Sequence, residues 1–164
     1  MTSELLRPSE PSDADALTDL HLDVWEEAYG HLIDEAILRN RRADRAQRVA
    51  RWREILDRSA DRTHVVEAAA GGRLLGFVSA GPGRDDPEPG LPDVEVWALY
   101  VRAEVYGQGF GHALLEKAIG PAAAYLWVLD GNERAIAFYE RQGFVFDGSS
   151  KVEPVGVERR MVRT

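Results

Sequence analysis

The segment from Asp93 to Gly111 constrains the fold most strongly, because a β-rich run breaks there into a glycine loop that opens a helix. The run Asp-Val-Glu-Val-Trp-Ala-Leu-Tyr-Val predicts a strand over Val94 to Val101. Three alternating glycines follow, and a helix is predicted over His112 to Ile119. A strand, a loop and a helix in this order form a concavity of backbone N–H groups at the positive end of a helix dipole. The segment therefore predicts a site for a phosphate-bearing cofactor.

Hydrophobic periodicity and turn residues divide the rest of the chain into strands and helices. Gly71-Gly72 is typical of a hairpin turn, Gly120-Pro121 ends a helix and Asn132 caps one. Seven strands are predicted, at Leu5–Arg7, His64–Ala70, Leu74–Ala80, Val94–Val101, Tyr125–Leu129, Phe144–Phe146 and Val157–Val162. Four helices are predicted, from Ser12 to about Gly30, from Asp44 to Asp57, from His112 to Ile119 and from Asn132 to Gly143. A turn is expected at Asp34–Arg39, an exposed loop at Gly81–Pro92 and a polar connection at Gly148–Gly156.

The order βααβββαβαββ indicates the fold class. It combines an antiparallel hairpin with a strand–helix–strand unit, which predicts an α/β (α+β) mixed sheet with helices on its faces. A chain of 164 residues without internal repeats is expected to form one domain over residues 1–164. No run has the length of a membrane span and the N-terminus lacks the pattern of a signal peptide, so we expect a cytoplasmic protein without membrane contact.

Composition narrows the function classes. The chain has no cysteine, which excludes disulfides, thiolate metal sites and a cysteine nucleophile. Its four histidines do not have the spacing of metal ligands, so no metal is expected. The net charge of −8 disfavours broad nucleic-acid binding and suits a cationic partner.

One segment of the chain is basic, although the chain as a whole is acidic. Nine arginines between Arg39 and Arg62 face four acidic residues, a local charge of +5. The segment is either an anion or RNA patch or the solvated face of a helix. The second interpretation is favoured, because Val49, Trp52 and Leu56 recur at i, i+3 and i+7 and no aromatic or glycine-rich recognition motif accompanies them.

The glycine motif differs from two common nucleotide-binding motifs. Its spacing is Gly-x-Gly-x-Gly, whereas the dinucleotide fingerprint is Gly-x-Gly-x-x-Gly. No Gly-Lys-Ser/Thr follows, so it is not a Walker loop. The loop alone does not identify its ligand.

Two motifs together resemble the GNAT family of acyl-CoA-dependent N-acyltransferases. The family has a Gln/Arg-x-x-Gly-x-Gly/Ala loop after its fourth strand, and the glycine loop is similar to it. The family's Asn-x-x-Ala-x-x-Phe-Tyr-x-x-x-Gly-Phe pattern is matched by Asn132, Ala135, Phe138, Tyr139, Gly143 and Phe144. The resemblance implies a mostly antiparallel seven-stranded sheet, splayed at strands 4 and 5, with four helices on its faces.

The resemblance also implies acetyl-CoA as co-substrate and a set of contacts to it. The fourth strand would pair with the pantetheine arm through its backbone, the glycine loop would hold the pyrophosphate, and Asn132 would touch the cofactor arm. The implied cofactor-binding residues are Leu99, Tyr100, Val101, Tyr106, Gly107, Gln108, Gly109, Phe110, Gly111, Asn132, Ala135 and Phe138. Three positions depart from the family pattern: Tyr106 replaces Gln or Arg, Ala103 replaces proline, and Glu104 adds a negative charge near the phosphates.

Amide formation from a thioester requires a neutral amine and a proton for the departing thiolate, so a base and an acid are expected. The resemblance implies that Tyr139 is the acid. Glu95 is the best candidate for the base, although it equally fits a solvent-facing or edge position, and Asp93 is a weaker candidate. Trp25 and Tyr29 fall where the family builds its acceptor pocket, although they also fit a role as core aromatics.

These features favour an N-acetyltransferase that moves an acetyl group from acetyl-CoA to a primary amine by direct attack. The acceptor would be a small molecule or a protein N-terminus, and the enzyme a monomer or a homodimer. The alternative is a catalytically silent acyl-CoA-binding sensor or scaffold of the same fold.

Overall fold

The computed structural model describes residues 5–69 and 72–164, which contain a seven-stranded sheet. Its strands are β1 (Leu5–Pro8), β2 (Thr63–Glu67), β3 (Leu74–Pro82), β4 (Val94–Val101), β5 (Ala124–Leu129), β6 (Val145–Glu153) and β7 (Gly156–Arg163). They lie in the order β1-β2-β3-β4-β5-β7-β6, and only β4 and β5 are parallel among these neighbours. The predicted mixed, mostly antiparallel sheet is confirmed.

Helices cover both faces of the sheet. They are α1 (Ala14–Tyr29), α2 (Glu35–Ala43), α3 (Arg45–Ser59), α4 (Phe110–Ile119) and α5 (Glu133–Arg141). The prediction of four helices is wrong, because the expected turn at Asp34–Arg39 is the start of α2. The Asp34 carboxylate accepts a hydrogen bond from the Ala36 amide at 2.8 Å and so caps a new helix. In the described ranges no helix is long and apolar enough to cross a membrane.

Two strand predictions also need correction. The polar segment Gly148–Gly156 was expected to connect two strands, but it belongs largely to the hairpin of β6 and β7. β6 lies at the edge of the sheet and is mostly exposed, so its polar residues do not prevent it from being a strand. β3 continues through Pro82 into the expected loop. Ala70, the last residue of the predicted second strand, and Gly71 of the predicted hairpin turn lie outside the described residues, although β2 and β3 are antiparallel as that turn requires.

The core lies on the two faces of the sheet. On one face α1 and α3 pack against β2 and β3, and the predicted apolar stripe of α3 is confirmed, since Val49, Trp52 and Leu56 are buried there. On the other face α4 and α5 bury Leu114 and Tyr139 against the central strands. Of the arginines that alternate with the α3 stripe, Arg45 and Arg53 form ion pairs with acidic residues of α1.

β4 and β5 separate soon after they meet. A single bridge joins them, between Glu95 and Tyr125. Beyond it β4 has no strand partner on this side, although it runs on to Val101. Because the two strands are parallel, their carboxyl ends lie on either side of the resulting opening, where ligands of α/β sheets commonly bind. The expected splay between strands 4 and 5 is confirmed.

Candidate active site

The glycine loop joins the end of β4 to α4. Gly107 and Gly109 have φ values of 77° and 88°, in the left-handed region that glycine adopts readily. Gly109 precedes the first residue of α4. Within the described residues, the amides of Gly107, Gly109, Phe110, Gly111 and His112 donate to no backbone carbonyl. The loop therefore presents unpaired N–H groups at the positive end of a helix, an arrangement that suits a phosphate.

Two residues near this loop, Tyr106 and Glu104, depart from the family pattern, and each has an arginine beside it. The guanidinium of Arg134, at the start of α5, lies 4.0 Å from the ring centroid of Tyr106. A cation thus stands beside the position where Gln or Arg was expected. The Glu104 carboxylate forms an ion pair with Arg73, which neutralises the negative charge next to the loop.

The second motif brings α5 against the same loop. A Cβ atom on Gly111 would lie 3.2 Å from the Phe138 ring, so the glycine permits the close approach of α4 and α5. Asn132 Oδ1 accepts a hydrogen bond from the Ala135 amide at 3.4 Å. Asn132 therefore serves as the helix cap, and its side-chain nitrogen has no partner among the described residues.

Tyr139 lies on α5 with only 8% of its surface exposed. Its ring makes edge contacts with Phe138 and Phe144, at centroid distances of 5.3 and 5.8 Å. Burial raises the pKa of the Tyr139 hydroxyl, and the nearby Tyr100 raises it further. The hydroxyl is therefore protonated at neutral pH and available as a proton donor.

An aromatic cavity of about 230 Å³ lies between α1 and the opening of the sheet. It is lined by His21, Trp25, Tyr29, Ile33, Arg84, Glu95, Val96, Trp97, Ala98, Tyr100, Trp127, Leu129, Lys151, Val155 and Glu158. The hydroxyls of Tyr29 and Tyr100 are 2.8 Å apart, and the rings of Trp25 and Tyr29 meet edge to face at 5.0 Å. The structure thus brings Trp25 and Tyr29, predicted from α1, to the same cavity as Glu95.

Tyr100 differs from its neighbours in β4. Leu99 and Val101 pack with the α4–α5 face of the sheet, whereas the Tyr100 side chain lies on the α1 face and lines the aromatic cavity. Successive side chains of a strand point to opposite faces of the sheet. β4 therefore presents Leu99 and Val101 to the α4–α5 face and Tyr100 to the aromatic cavity. A bulge near Ser79 and Ala80 interrupts the register, so that both Trp97 and Ala98 line the cavity.

Glu95 is 2% exposed, so the alternative prediction of a solvent-facing position is wrong. Its Oε1 accepts a hydrogen bond from Arg84 Nη2 at 2.7 Å. Its Oε2 accepts from the Arg84 amide at 2.9 Å, from Arg84 Nε at 3.1 Å and from the Tyr125 hydroxyl at 3.2 Å. The hydrogen bond to Glu95 raises the pKa of Arg84. Asp93, the weaker candidate for the base, is exposed and does not line the cavity.

Residues 15–144 match the Acetyltransferase (GNAT) family. The chain belongs to the GNAT family. It is 26% identical over 146 residues to the Mycobacterium tuberculosis protein named "Probable N-acetyltransferase Rv2775", covering 87% of this chain and 80% of that protein. It is 28% identical over 144 residues to "Uncharacterized N-acetyltransferase YuaI" of Bacillus subtilis, covering 82% and 76%. The PaiA N-acetyltransferase of Thermoplasma acidophilum, solved with coenzyme A, has the same fold, with a TM-score of 0.76, 19% identity and 99% of each chain covered.

Membership of the GNAT family makes the chain an acyltransferase, and acetyl-CoA-dependent acetyl transfer is its general reaction. The loop with free amides follows the end of β4, and residues of the same strand line the aromatic cavity. In the described residues no cluster of His, Cys, Asp and Glu has the arrangement of a metal site.

Several residues of this GNAT site were missed from the sequence. Arg84 falls in the predicted loop at Gly81–Pro92, where nothing distinguishes it from a surface arginine. The loop is mostly exposed, but Asp85 fixes it: its amide donates to the Tyr125 hydroxyl at 3.0 Å, and its carboxylate accepts from Trp127 Nε1 at 3.1 Å and Arg160 Nη1 at 3.0 Å. These anchors hold Arg84 over Glu95.

Proposed function

We propose that the protein transfers an acetyl group from acetyl-CoA to a primary amine of a small molecule by direct attack. The observation that carries this proposal is the position of the two binding surfaces on either side of β4. The free amides of the loop and Tyr139 lie at one, while Glu95, Trp25 and Tyr29 lie at the other. An amine in the aromatic cavity would approach a thioester in the opening without crossing a strand.

The residues around the loop fit coenzyme A. The five unpaired amides between Gly107 and His112 would receive the pyrophosphate, and the Arg134 guanidinium would add positive charge beside it. The unpaired edge of β4 beyond Glu95 would bind the amides of the pantetheine arm as a further strand would. Asn132, with a free side-chain nitrogen, would contact the same arm.

Tyr139 would act as the acid. In the transfer, the amine nitrogen forms a bond to the thioester carbon and the bond from that carbon to sulfur breaks. The departing thiolate needs a proton, and a buried tyrosine with a raised pKa is a protonated hydroxyl that can supply one.

Glu95 would accept the proton of the amine through a water molecule. Its carboxylate lines the aromatic cavity, and Oε1 has one protein donor whereas Oε2 has three. Oε1 is therefore the oxygen with free capacity for a water. Arg84 and Tyr125 would hold the carboxylate in place for this step.

The volume of the cavity supports a small acceptor. About 230 Å³ lies below the roughly 300–1,000 Å³ of drug-sized ligand sites, and aromatic walls of this kind suit the carbon chain of a small amine. A small-molecule amine fits this space more readily than a folded protein.

Thiol release from acetyl-CoA, measured with a panel of small amines, tests the proposal. Tyr139→Phe is expected to lower kcat by roughly 10²-fold or more while the Kd for acetyl-CoA, from calorimetry, stays within a few fold. Glu95→Gln is expected to lower kcat/KM most strongly at low pH, where the acceptor is mostly protonated.

Two results would contradict these assignments. Unchanged kcat in Tyr139→Phe would remove the acid role. Tight binding of acetyl-CoA without turnover on any amine would favour the silent sensor instead.

A further inference from the structure

A second cavity, the arginine cavity, adjoins the aromatic cavity between α1, α3 and the sheet. It has a volume of about 300 Å³. It is lined by Thr18, His21, Leu22, Arg41, Arg48, Arg51, Trp52, Ile55, Phe77, Ser79, Arg84, Trp97 and Ala98. Four of these residues are arginines and none is acidic. His21, Arg84, Trp97 and Ala98 line both cavities, so the two are neighbours with a common wall.

The arginines of this cavity differ from the others in the basic segment between Arg39 and Arg62. Five of the nine arginines there form ion pairs with acidic residues of α1 or of their own helix: Arg39, Arg42, Arg45, Arg53 and Arg58. Arg41, Arg48 and Arg51 form no ion pair with any residue in the described ranges. Three of the four arginines of this segment without an ion pair in the described ranges therefore line the cavity, and the fourth, Arg62, lies 5.9 Å from the ring of Trp97 in its wall.

Arg41 is the most unusual of the three. Its Nε and Nη2 atoms are buried and have no hydrogen-bond partner among the described residues. Its guanidinium lies 3.5 Å from the ring centroid of Trp25, which lines the aromatic cavity. Stacking on an aromatic ring orients the guanidinium but does not satisfy its N–H groups. Buried N–H donors without partners are costly, and they mark the place of a missing acceptor.

The pKa values of Arg41 and His21 agree with a cluster of unpaired arginines at this cavity. Burial lowers the pKa of Arg41 to about 10, and the positive charge of Arg48 contributes. Burial also lowers the pKa of His21 to about 3, and Arg41, Arg48 and Arg51 lower it further. Asp44 acts in the opposite direction on Arg48 but forms no ion pair with it. His21, in the common wall of the two cavities, thus lies close enough to three arginines of the arginine cavity to feel their charge, in a protein of net charge −8.

We infer that the acceptor is a primary amine that carries an anionic group, a carboxylate or a phosphate, and that Arg41 and Arg51 bind this group in the arginine cavity. The inference rests on the proposed function, since it places the amine of the same molecule in the aromatic cavity. Carboxylates and phosphates match the paired N–H donors of a guanidinium, and such charge-assisted hydrogen bonds are stronger than neutral ones.

Matched amines test the inference. δ-Aminovalerate, pentylamine and cadaverine have the same carbon chain and end in a carboxylate, a methyl group and an ammonium, and phosphoethanolamine paired with ethanolamine tests a phosphate. We expect kcat/KM for the better anionic amine to exceed that of its uncharged partner by at least about tenfold. Equal or greater activity with pentylamine, ethanolamine or cadaverine would overturn the inference.

Three variants separate recognition of the anion from other effects of charge. Arg41→Met and the exposed Arg51→Met are expected to abolish the preference for the anionic amine while activity with the uncharged partner is retained. Arg53→Met removes the same charge from α3, but Arg53 pairs with Asp15 outside the cavity and should keep the preference. A preference that persists in both Arg41→Met and Arg51→Met would refute the assignment.

Anion binding without acetyl-CoA distinguishes failure of this inference from failure of the proposed function. Glutarate, which has no phosphate for the glycine loop to bind, should raise Tm in the wild-type protein and in Arg53→Met but not in Arg41→Met. If the protein binds acetyl-CoA but acetylates no amine, the proposed function fails, and the assignment of the acceptor fails with it. If it acetylates amines without any effect of anions on Tm or on preference, only the inference fails.

Discussion

Replacing Arg41 with methionine should stabilise the protein in the absence of a ligand, because the charge is partly buried without an anion. Its environment lowers the pKa from the ordinary value of an arginine to about 10. That change corresponds to roughly 3 kcal/mol of destabilisation of the charged form, which partial exposure to solvent reduces to roughly 1–2 kcal/mol. Methionine keeps the aliphatic stem of the side chain next to Trp25, and its sulfur packs well against aromatic rings.

The sign of the effect follows from the direction of the pKa change. A cation whose pKa is lower in the folded state destabilises that state at every pH below the lowered pKa, so the full penalty is present at neutral pH. The penalty is relieved only as the pH rises above about 10, towards the ordinary pKa of an arginine. Arg41→Met should therefore raise Tm at pH 7 by roughly 2–8 °C in a domain of this size.

Calorimetric unfolding in a buffer without phosphate or carboxylates measures this difference. Arg53→Met is the control, because it removes an equal charge from an exposed pair at 3.2 Å and should change the free energy of unfolding by less than about 1 kcal/mol. A Tm of Arg41→Met below that of the wild type would refute the reasoning. It would show that the charge of Arg41 stabilises the folded protein even when no anion is bound.

Two other predictions concern the pH dependence of stability and the glycine loop. The pKa of His21 is about 3 in the folded protein and 6.5 in an unfolded chain, so only the unfolded chain gains a proton between these values, and stability falls as the pH drops below 6.5. Urea unfolding at pH 7 and 5 should show that His21→Gln loses less stability than the wild type by about 2 kcal/mol, and equal losses would contradict the buried neutral imidazole. Gly109→Ala and Gly90→Ala each place a Cβ in open space at a φ of 88° and 84°, so both carry similar backbone strain of roughly 1–2 kcal/mol. Only Gly109→Ala should raise the Kd for acetyl-CoA, by about tenfold in calorimetry, and an equal Kd in the two variants would argue against pyrophosphate binding at the loop.

Much of the fold could be predicted because its signals are local. The strand Val94–Val101 was predicted with the bounds of β4, since an apolar run ends at a glycine loop. The two missed features have weak local signals. α2 buries only Leu38, so it shows no apolar stripe, and β6 lies at an exposed edge, where no alternation of buried residues is needed.

The site was predicted only where a contiguous motif carries it. The glycine loop and the segment from Asn132 to Phe144 were visible because their residues are close in sequence. Arg41, Arg84 and His21 belong to α2, a loop and α1, and nothing in their local sequence sets them apart from surface residues. Their roles depend on the residues that surround them in the fold, and these spatial neighbours cannot be identified from a single sequence.

The charge of the whole chain gave the opposite expectation for the acceptor, and the reason is the short range of electrostatic interactions in salt. A net charge of −8 suited a cationic partner, but charges further than about 10 Å from a ligand are largely screened. Four of the five acidic residues of α1 form ion pairs, with Arg42, Arg45, Arg53 and Arg102, and so contribute little to the field in the cavity. Arg41, Arg48 and Arg51, which form no ion pair in the described ranges, remain, and they line the arginine cavity. The local excess of +5 between Arg39 and Arg62 is therefore a better guide to the acceptor than the net charge of the protein, and it favours an anionic amine.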